Sequence, residues 1–112
     1  MLARQTIIKA VNEMVTSAAR HGLPMEKILL FGSYAKGTPH EYSDLDLAVF
    51  SSAFVENPHA NIDMIQCAER LPQMSLRLYP LVDFEEDPFV QEIKKHAVVL
   101  RDTTKFQEAN ST

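Results

Sequence analysis

The sequence has few of the residues that mark secreted, membrane-spanning or disulfide-linked proteins. Its 112 residues include one cysteine, Cys67, and no tryptophan. A single cysteine cannot form a disulfide within the chain, so the composition favours a reducing compartment such as the cytoplasm. No apolar run approaches the roughly eighteen residues that a membrane-spanning helix needs, and the N-terminus lacks the apolar block of a secretory signal.

The sequence also lacks an excess of positive charge. The formal net charge is −4, and the 11 lysines and arginines are scattered along the chain. Proteins that hold nucleic acid through its phosphates usually carry a basic stripe, so extended nucleic-acid binding is disfavoured. With 46% apolar and 23% charged residues, the chain is expected to form one ordinary globular domain.

Apolar periodicity and turn residues predict alternating helices and strands. The expected helices cover 2–20, 61–71 and 88–96, the expected strands cover 27–31, 43–50, 75–84 and 97–101, and the acidic run 83–87 is expected to form a solvated loop. This order predicts an α/β fold in which helices cover a mixed sheet of about four strands. One domain is expected over 1–102, followed by a polar, flexible tail over 103–112.

Two aspartates, Asp44 and Asp46, lie one residue apart within the second expected strand. Side chains alternate along a strand, so both carboxylates point to one face while Leu45 and Leu47 point to the other. Two unit charges about 5 Å apart repel by about 3 kcal/mol at an effective dielectric near 20. A bound Mg²⁺ or Mn²⁺ ion would offset this repulsion; the alternative is a pair of solvated surface carboxylates.

The dipeptide Gly32-Ser33 directly follows the first expected strand. Glycine allows a sharp turn and a close approach of the backbone to a ligand. One helical turn beginning near Ser33 would offer N–H groups to an anion, and Gly37 would let the chain return toward Asp44. Combined with the acidic pair, the segment predicts a metal-bound polyphosphate site; on its own it is typical of a plain surface turn.

The stretch GSYAKGTPHEYSDLDLAV, residues 32–49, resembles the signature of the minimal nucleotidyltransferases of the DNA polymerase beta superfamily. That signature is Gly-Ser-x-Ala-x-Gly, a spacer, and then Ser-Asp-x-Asp-Leu-x-Val, and every defining position is filled here. The resemblance implies a nucleotidyltransferase fold over nearly the whole chain. It also implies binding of ATP or another nucleoside triphosphate together with Mg²⁺ or Mn²⁺.

The resemblance further implies roles for individual residues and a partner. Asp44 and Asp46 would be catalytic and would ligate the metal. The nucleotide would be contacted by Gly32, Ser33, Lys36 and Ser43. Several such proteins act as the antitoxin of a HEPN-domain partner, and in some pairs a tyrosine of the partner is adenylylated. We therefore expect the acceptor on a HEPN-type or other helical partner, or at a homo-oligomer interface.

The sequence departs from the family pattern at a third carboxylate, which in these enzymes completes the metal site and helps to deprotonate the attacking hydroxyl. Matching the closing segment without gaps puts this position on Tyr79, whose hydroxyl is neutral at pH 7 with an unperturbed pKa of about 10. Asp83 would share a face with Tyr79 if the strand continued past Pro80. It would then lie about 13 Å further along, so a bulge would be needed to bring it to the site.

Two functions fit these features. The first is transfer of a nucleoside monophosphate, AMP from ATP, to a hydroxyl on a partner. The second is a catalytically impaired binding module that keeps the fold and neutralises or regulates a partner. The intact Gly-Ser segment and acidic pair favour the first, and the replaced third carboxylate favours the second.

Overall fold

A computed structural model describes residues 2–40, 43–55 and 74–103. Its elements are α1 (Arg4–Arg20), β1 (Lys27–Phe31), β2 (Leu45–Ser51), a 3-10 helix (Ser52–Val55), β3 (Met74–Pro80), α2 (Asp83–Glu86), α3 (Pro88–Ile93) and β4 (Val98–Asp102). The helix expected over 61–71 lies outside the described residues, as does the expected tail from 104 onward. Within the described ranges, no helix is long and apolar enough to cross a bilayer.

The four strands form one mixed sheet in the order β3-β2-β1-β4. β1 pairs antiparallel with both β2 and β4, whereas β2 and β3 are parallel. A parallel pair needs a connection of a dozen or more residues, and 22 residues, 52–73, separate β2 from β3 in the sequence. The expected α/β fold with a mixed sheet of about four strands is confirmed.

Helix α1 covers one face of the sheet with the apolar stripe that its sequence predicts. Residues three and four positions apart share a helix face, and the buried members of the stripe are Ile7, Val11, Met14 and Ala18. Ile8 is also apolar, but its side chain is 44% exposed. Its position on the helix turns it away from the sheet.

The helix ends at a glycine in the left-handed region. Gly22 has φ +74°, and its N–H donates to the Ala19 carbonyl at 3.0 Å. The next N–H, that of Leu23, donates to the Ala18 carbonyl at 2.9 Å. This pair of bonds is a Schellman motif, in which glycine avoids the backbone clash that a Cβ would cause in the left-handed region.

The two faces of the sheet carry separate apolar clusters. On the α1 side lie the buried strand residues Ile28, Leu30, Leu45, Leu47 and Val49. On the opposite side, Leu29, Ala48 and Phe50 pack against Val90 of α3. Because Asp46 and Ala48 are two positions apart on β2, the Asp46 carboxylate lies on the same, second face of the sheet.

The segment after β3 differs from the expected strand and loop. β3 ends at Pro80, and α2 begins at Asp83 within the acidic run, so both the strand expected to Phe84 and the solvated loop were wrong. Pro80 has no N–H to continue the sheet pairing. The carbonyl of Phe84 accepts hydrogen bonds from the Gln91 and Lys94 side chains at 2.9 and 3.0 Å, which satisfies the end of α2.

The next helix begins as its sequence predicts. A carboxylate oxygen of Asp87 accepts a hydrogen bond from the Val90 N–H at 3.0 Å, and Pro88 occupies the first turn. An aspartate cap followed by proline is a common start of a helix. This start directs α3 back across the second face of the sheet.

We expect Phe50→Ala to destabilise the fold by about 3–5 kcal/mol, the usual cost of truncating a buried aromatic side chain. Phe50 is fully buried, and its ring centroid lies 5.3 Å from that of Tyr79 and 5.2 Å from that of Phe84. Denaturant unfolding followed by circular dichroism would measure the loss. Val82→Ala, at an exposed position, is the control, and an equal loss in both variants would contradict the packing.

Candidate active site

The pairing of β1 with β2 brings the glycine loop, residues 32–37, close to the acidic pair, Asp44 and Asp46. Phe31, the last residue of β1, is the register partner of Asp46 on β2. Gly32 is the next residue, so the chain turns beside the Asp46 carboxylate. The sequence predicted this proximity from the order of the segments, and the antiparallel register provides it.

Gly32 and Asp46 approach so closely that only a glycine fits. Gly32 has φ +75°, and a Cβ built on it would overlap the carboxylate of Asp46. Both the left-handed backbone and the missing side chain are therefore required here. Gly37 also has φ +74°, but a Cβ there would meet open space, so its requirement is conformational alone.

Residues after Gly32 form a single helix-like turn, as expected. The Lys36 N–H donates to the Gly32 carbonyl at 3.1 Å, and the Thr38 N–H donates to the Ser33 carbonyl at 3.0 Å. The first N–H groups of such a turn have no hydrogen-bond acceptor within the turn itself. Ser33 follows Gly32 at the start of this turn. Lys36 lies near the end of the turn, where it is exposed.

The second position of the turn is anchored to the N-terminal segment. The hydroxyl of Tyr34 accepts a hydrogen bond from the Leu2 N–H at 2.8 Å. This hydrogen bond fixes the loop against the start of the chain.

Ser43 and Asp44 precede β2 and have different surroundings. The Ser43 hydroxyl is buried and accepts a hydrogen bond from the His40 N–H at 2.9 Å, while the Ser43 N–H donates to the His40 carbonyl at 3.0 Å. These bonds give Ser43 a local role in holding the turn, and its contact with a nucleotide remains a prediction. Asp44 is exposed, whereas Asp46 is half-buried.

The pKa of the Asp46 carboxyl is raised above its ordinary value. Partial burial is the largest cause, because it disfavours the charged form. The negative charge of Asp44 raises this pKa further, and the positive charge of Arg77 acts in the opposite direction. The two carboxylates therefore interact electrostatically, as the sequence predicted, and a guanidinium contributes to the same field.

The register of β3 changes the question of the third carboxylate. On the shared face, Ser75 is the partner of Asp46 and Arg77 is the partner of Ala48, whereas Tyr79 is the partner of Phe50. Ser75 and Tyr79 are four positions apart, about 13 Å along the strand. The Tyr79 ring stacks on Phe50 at 5.3 Å with an interplanar angle of 17°. The structure thus packs the half-buried Tyr79 against the second apolar cluster, away from Asp46.

Asp83 is not brought beside Asp46 either. It begins α2 beyond the end of β3, at the Phe50 end of the sheet, so the strand continuation that would align it with Tyr79 does not form. The β3 residues nearest to Asp46 on the shared face are Ser75 and Arg77. Neither supplies a carboxylate.

The oxygen donors of Asp44 and Asp46 suit a divalent cation such as Mg²⁺. In the part of the chain that the structure describes, however, no group of three or more His, Cys, Asp or Glu side chains could hold a metal ion. Mg²⁺ requires six ligands and is usually held by one or two carboxylates together with phosphate oxygens. The acidic pair therefore fits a metal that arrives with a phosphate ligand.

Arg77 and Phe89 adjoin the site, and sequence reasoning missed both. The Arg77 guanidinium lies 4.5 Å from the centroid of the Phe89 ring. Phe89 in turn meets Phe31 edge-on, with 6.1 Å between ring centroids. The alternation of Ser75, Arg77 and Tyr79 was visible in the sequence, but only the strand register shows which of them lies nearest to Asp46.

We expect Asp46→Asn to raise the melting temperature at pH 7 by a few degrees. Because the folded-state pKa of Asp46 is raised, ionisation destabilises the fold, and wild-type stability falls as pH rises through the carboxylate range. The gain should therefore disappear near pH 3, where both states of the wild type are protonated. Thermal unfolding without metal between pH 3 and 7 measures this, and a lower melting temperature for Asp46→Asn at pH 7 would contradict it.

We expect Gly32→Ala to be more damaging than Gly22→Ala. Both glycines have φ near +75°, but only the added Cβ at Gly32 overlaps another group. The left-handed backbone alone costs about 1–2 kcal/mol with a side chain, so Gly22→Ala isolates that cost. Denaturant unfolding of the two variants should differ, and equal losses would show that the approach of Gly32 to Asp46 is not restrictive.

The fold is similar to solved nucleotidyltransferase structures. A toxin–antitoxin structure with AMP-PNP has a TM-score of 0.60 and 24% identity, covering 91% of this chain and 78% of that chain. A candidate nucleotidyltransferase from Sulfolobus solfataricus has a TM-score of 0.58 and 20% identity, covering 82% of this chain and 77% of that one. A variant of the toxin–antitoxin MntA-HpeT has a TM-score of 0.55 and 26% identity, covering 97% and 80% respectively.

Among curated proteins, none matches this chain significantly. The family model for the nucleotidyltransferase domain matches residues 7–100. This range includes the glycine loop, both aspartates and the strands that hold them. The resemblance to minimal nucleotidyltransferases is confirmed, and the chain belongs to the nucleotidyltransferase domain family.

Proposed function

We propose that this protein transfers AMP from ATP to a hydroxyl group on a partner protein, as the antitoxin of a HEPN/MNT pair. The observation that carries the proposal is the approach of Gly32 to the Asp46 carboxylate. This approach supports a shared ligand site between the glycine loop and the acidic pair. The match of residues 7–100 to the nucleotidyltransferase domain supports the same proposal.

The choice of nucleotide and partner is supported by solved structures with the same fold. One is a toxin–antitoxin structure with AMP-PNP, an ATP analogue, and two others are variants of the toxin–antitoxin MntA-HpeT. This chain covers 78–80% of these structures' chains. A HEPN-type helical partner follows from the sequence resemblance, and the single cysteine favours a reducing, cytoplasmic setting.

Each site residue has a distinct part in the proposed reaction. Asp44 and Asp46 would hold Mg²⁺ or Mn²⁺, which supplies charge neutralisation at the phosphates when bound. The turn that begins at Gly32 and Ser33 would place its N–H groups and the Ser33 hydroxyl against phosphate oxygens. Lys36, exposed at the end of the same turn, would reach the triphosphate from the solvent side.

The proposed transfer is an in-line displacement at the α-phosphorus. The acceptor oxygen forms a bond to the α-phosphorus, the bond from that phosphorus to the α,β-bridging oxygen breaks, and pyrophosphate leaves with the electron pair. The acceptor hydroxyl loses its proton to water or to a base on the partner. The β3 residues beside Asp46 are Ser75 and Arg77, so this strand offers no carboxylate for that proton.

The same feature supports the second candidate function. A chain that binds nucleotide but lacks the third carboxylate could neutralise its partner by binding alone. That role needs the fold and a docking surface, and it does not need transfer to occur.

We expect label to appear on the partner when the chain is incubated with α-labelled ATP, Mg²⁺ and the protein encoded by the adjacent gene. Asp44→Asn should reduce this transfer about 100-fold or more, because metal binding contributes several kcal/mol to such reactions. Asp83→Asn removes a carboxylate that the structure sets apart from the site, and transfer should persist. A tight but unlabelled complex would establish the binding module instead.

A further inference from the structure

We propose that Arg77 is a triphosphate-binding residue, held in place by the Phe89 ring, at the β3 position that follows Ser75, the partner of Asp46, on the shared face. The proposal rests on the proposed function, because its ligand is the nucleoside triphosphate of the same site. It adds a residue that the family signature does not contain. With this assignment, β3 contributes a positive charge to the site, in contrast to the third carboxylate of the enzymes that share the signature.

The strand register places Arg77 beside the acidic pair. Arg77 is the partner of Ala48 on the parallel strand, and Ala48 is two residues from Asp46 on the same face. Diagonal neighbours of this kind lie about 7–8 Å apart at Cα, within reach of a long side chain. The positive charge of Arg77 acts on Asp46, and Arg77 is exposed toward solvent.

Phe89 sets the direction of the guanidinium. The Arg77 carbon Cζ lies 4.5 Å from the Phe89 ring centroid, so the ring attracts one face of the cation. The Phe89 ring is 40% exposed and rests edge-on against Phe31, the register partner of Asp46. A guanidinium carries its N–H groups in the plane of its fork, where they can bind phosphate oxygens in pairs.

The charges of the site explain why an arginine is suited to this position. A third carboxylate would add to the repulsion between Asp44 and Asp46 and would require more bound cation. A guanidinium instead offsets part of that negative charge and attracts the triphosphate directly. The site would then depend less on metal to hold its nucleotide.

The test exploits two effects of opposite sign in Arg77→Gln. Binding of AMP-PNP with Mg²⁺ should weaken about 10- to 100-fold, because charge-assisted hydrogen bonds to phosphate are lost. Binding of Mn²⁺ alone should tighten about two- to fivefold, since a positive charge near the carboxylates is removed. Calorimetry measures the first and the electron paramagnetic resonance of Mn²⁺ measures the second.

Three further variants separate direct binding from positioning. Arg77→Lys keeps the charge and should recover part of the AMP-PNP affinity. Phe89→Leu keeps apolar volume but removes the ring face, and should weaken AMP-PNP about two- to fivefold. Arg20→Gln removes an exposed arginine at the end of α1, and both affinities should stay at the wild-type value.

The outcomes decide between this inference and the proposed function. If wild type binds AMP-PNP and Arg77→Gln binds it equally well, Arg77 is not a phosphate ligand, although the proposed function stands. If Arg77→Gln weakens AMP-PNP and Mn²⁺ alike, the loss is structural and the inference is overturned. If wild type binds neither AMP-PNP nor Mn²⁺, the proposed function fails and this inference fails with it.

Discussion

The site depends on the close approach of the Gly32 backbone to the Asp46 carboxylate. The β1-β2 register makes Phe31 the partner of Asp46, so the first residue after β1 must turn directly over that carboxylate. A residue with a side chain would overlap it, and the left-handed backbone would add strain. The strand pairing, the glycine and the aspartate therefore depend on one another. A shift of the β1-β2 register by one residue would turn the Asp46 side chain to the other face of the sheet.

A single strand serves both the core and the site. On the second face of the sheet, β2 presents Phe50 to the aromatic residues Tyr79 and Phe84 at one end, and Asp46 to the loop at the other. Ala48, small and buried, lies between the two. The packing of Phe50 fixes the position and direction of β2, and through it the position of Asp46. The packing of Phe50 at one end of β2 therefore helps to hold the Asp46 carboxylate in position at the other end.

Sequence periodicity predicted the parts of the fold that local chemistry controls. The bounds of β1 follow from its short apolar run, and the helix-like turn after it follows from the chemistry of Gly32. The register of β3 could not be predicted in the same way, because residues 52–73 separate β2 from β3 and no local turn fixes their alignment. A count without gaps therefore selected Tyr79, while pairing places Ser75 and Arg77 beside the acidic pair.

An arginine on β3 would separate nucleotide binding from transfer. Under the proposed function, the glycine-loop N–H groups, the acidic pair with a bound metal and the Arg77 guanidinium would together hold the triphosphate. None of the β3 groups beside Asp46 is a carboxylate that could accept the proton of the attacking hydroxyl, and under the proposed function water or a base on the acceptor protein would take it. Under the proposed function, a loaded chain would react only when a partner brings both the hydroxyl and a route for its proton. The two candidate functions then differ in one property of the partner, because the same nucleotide-bound chain would modify a partner that has such a base and only bind one that lacks it.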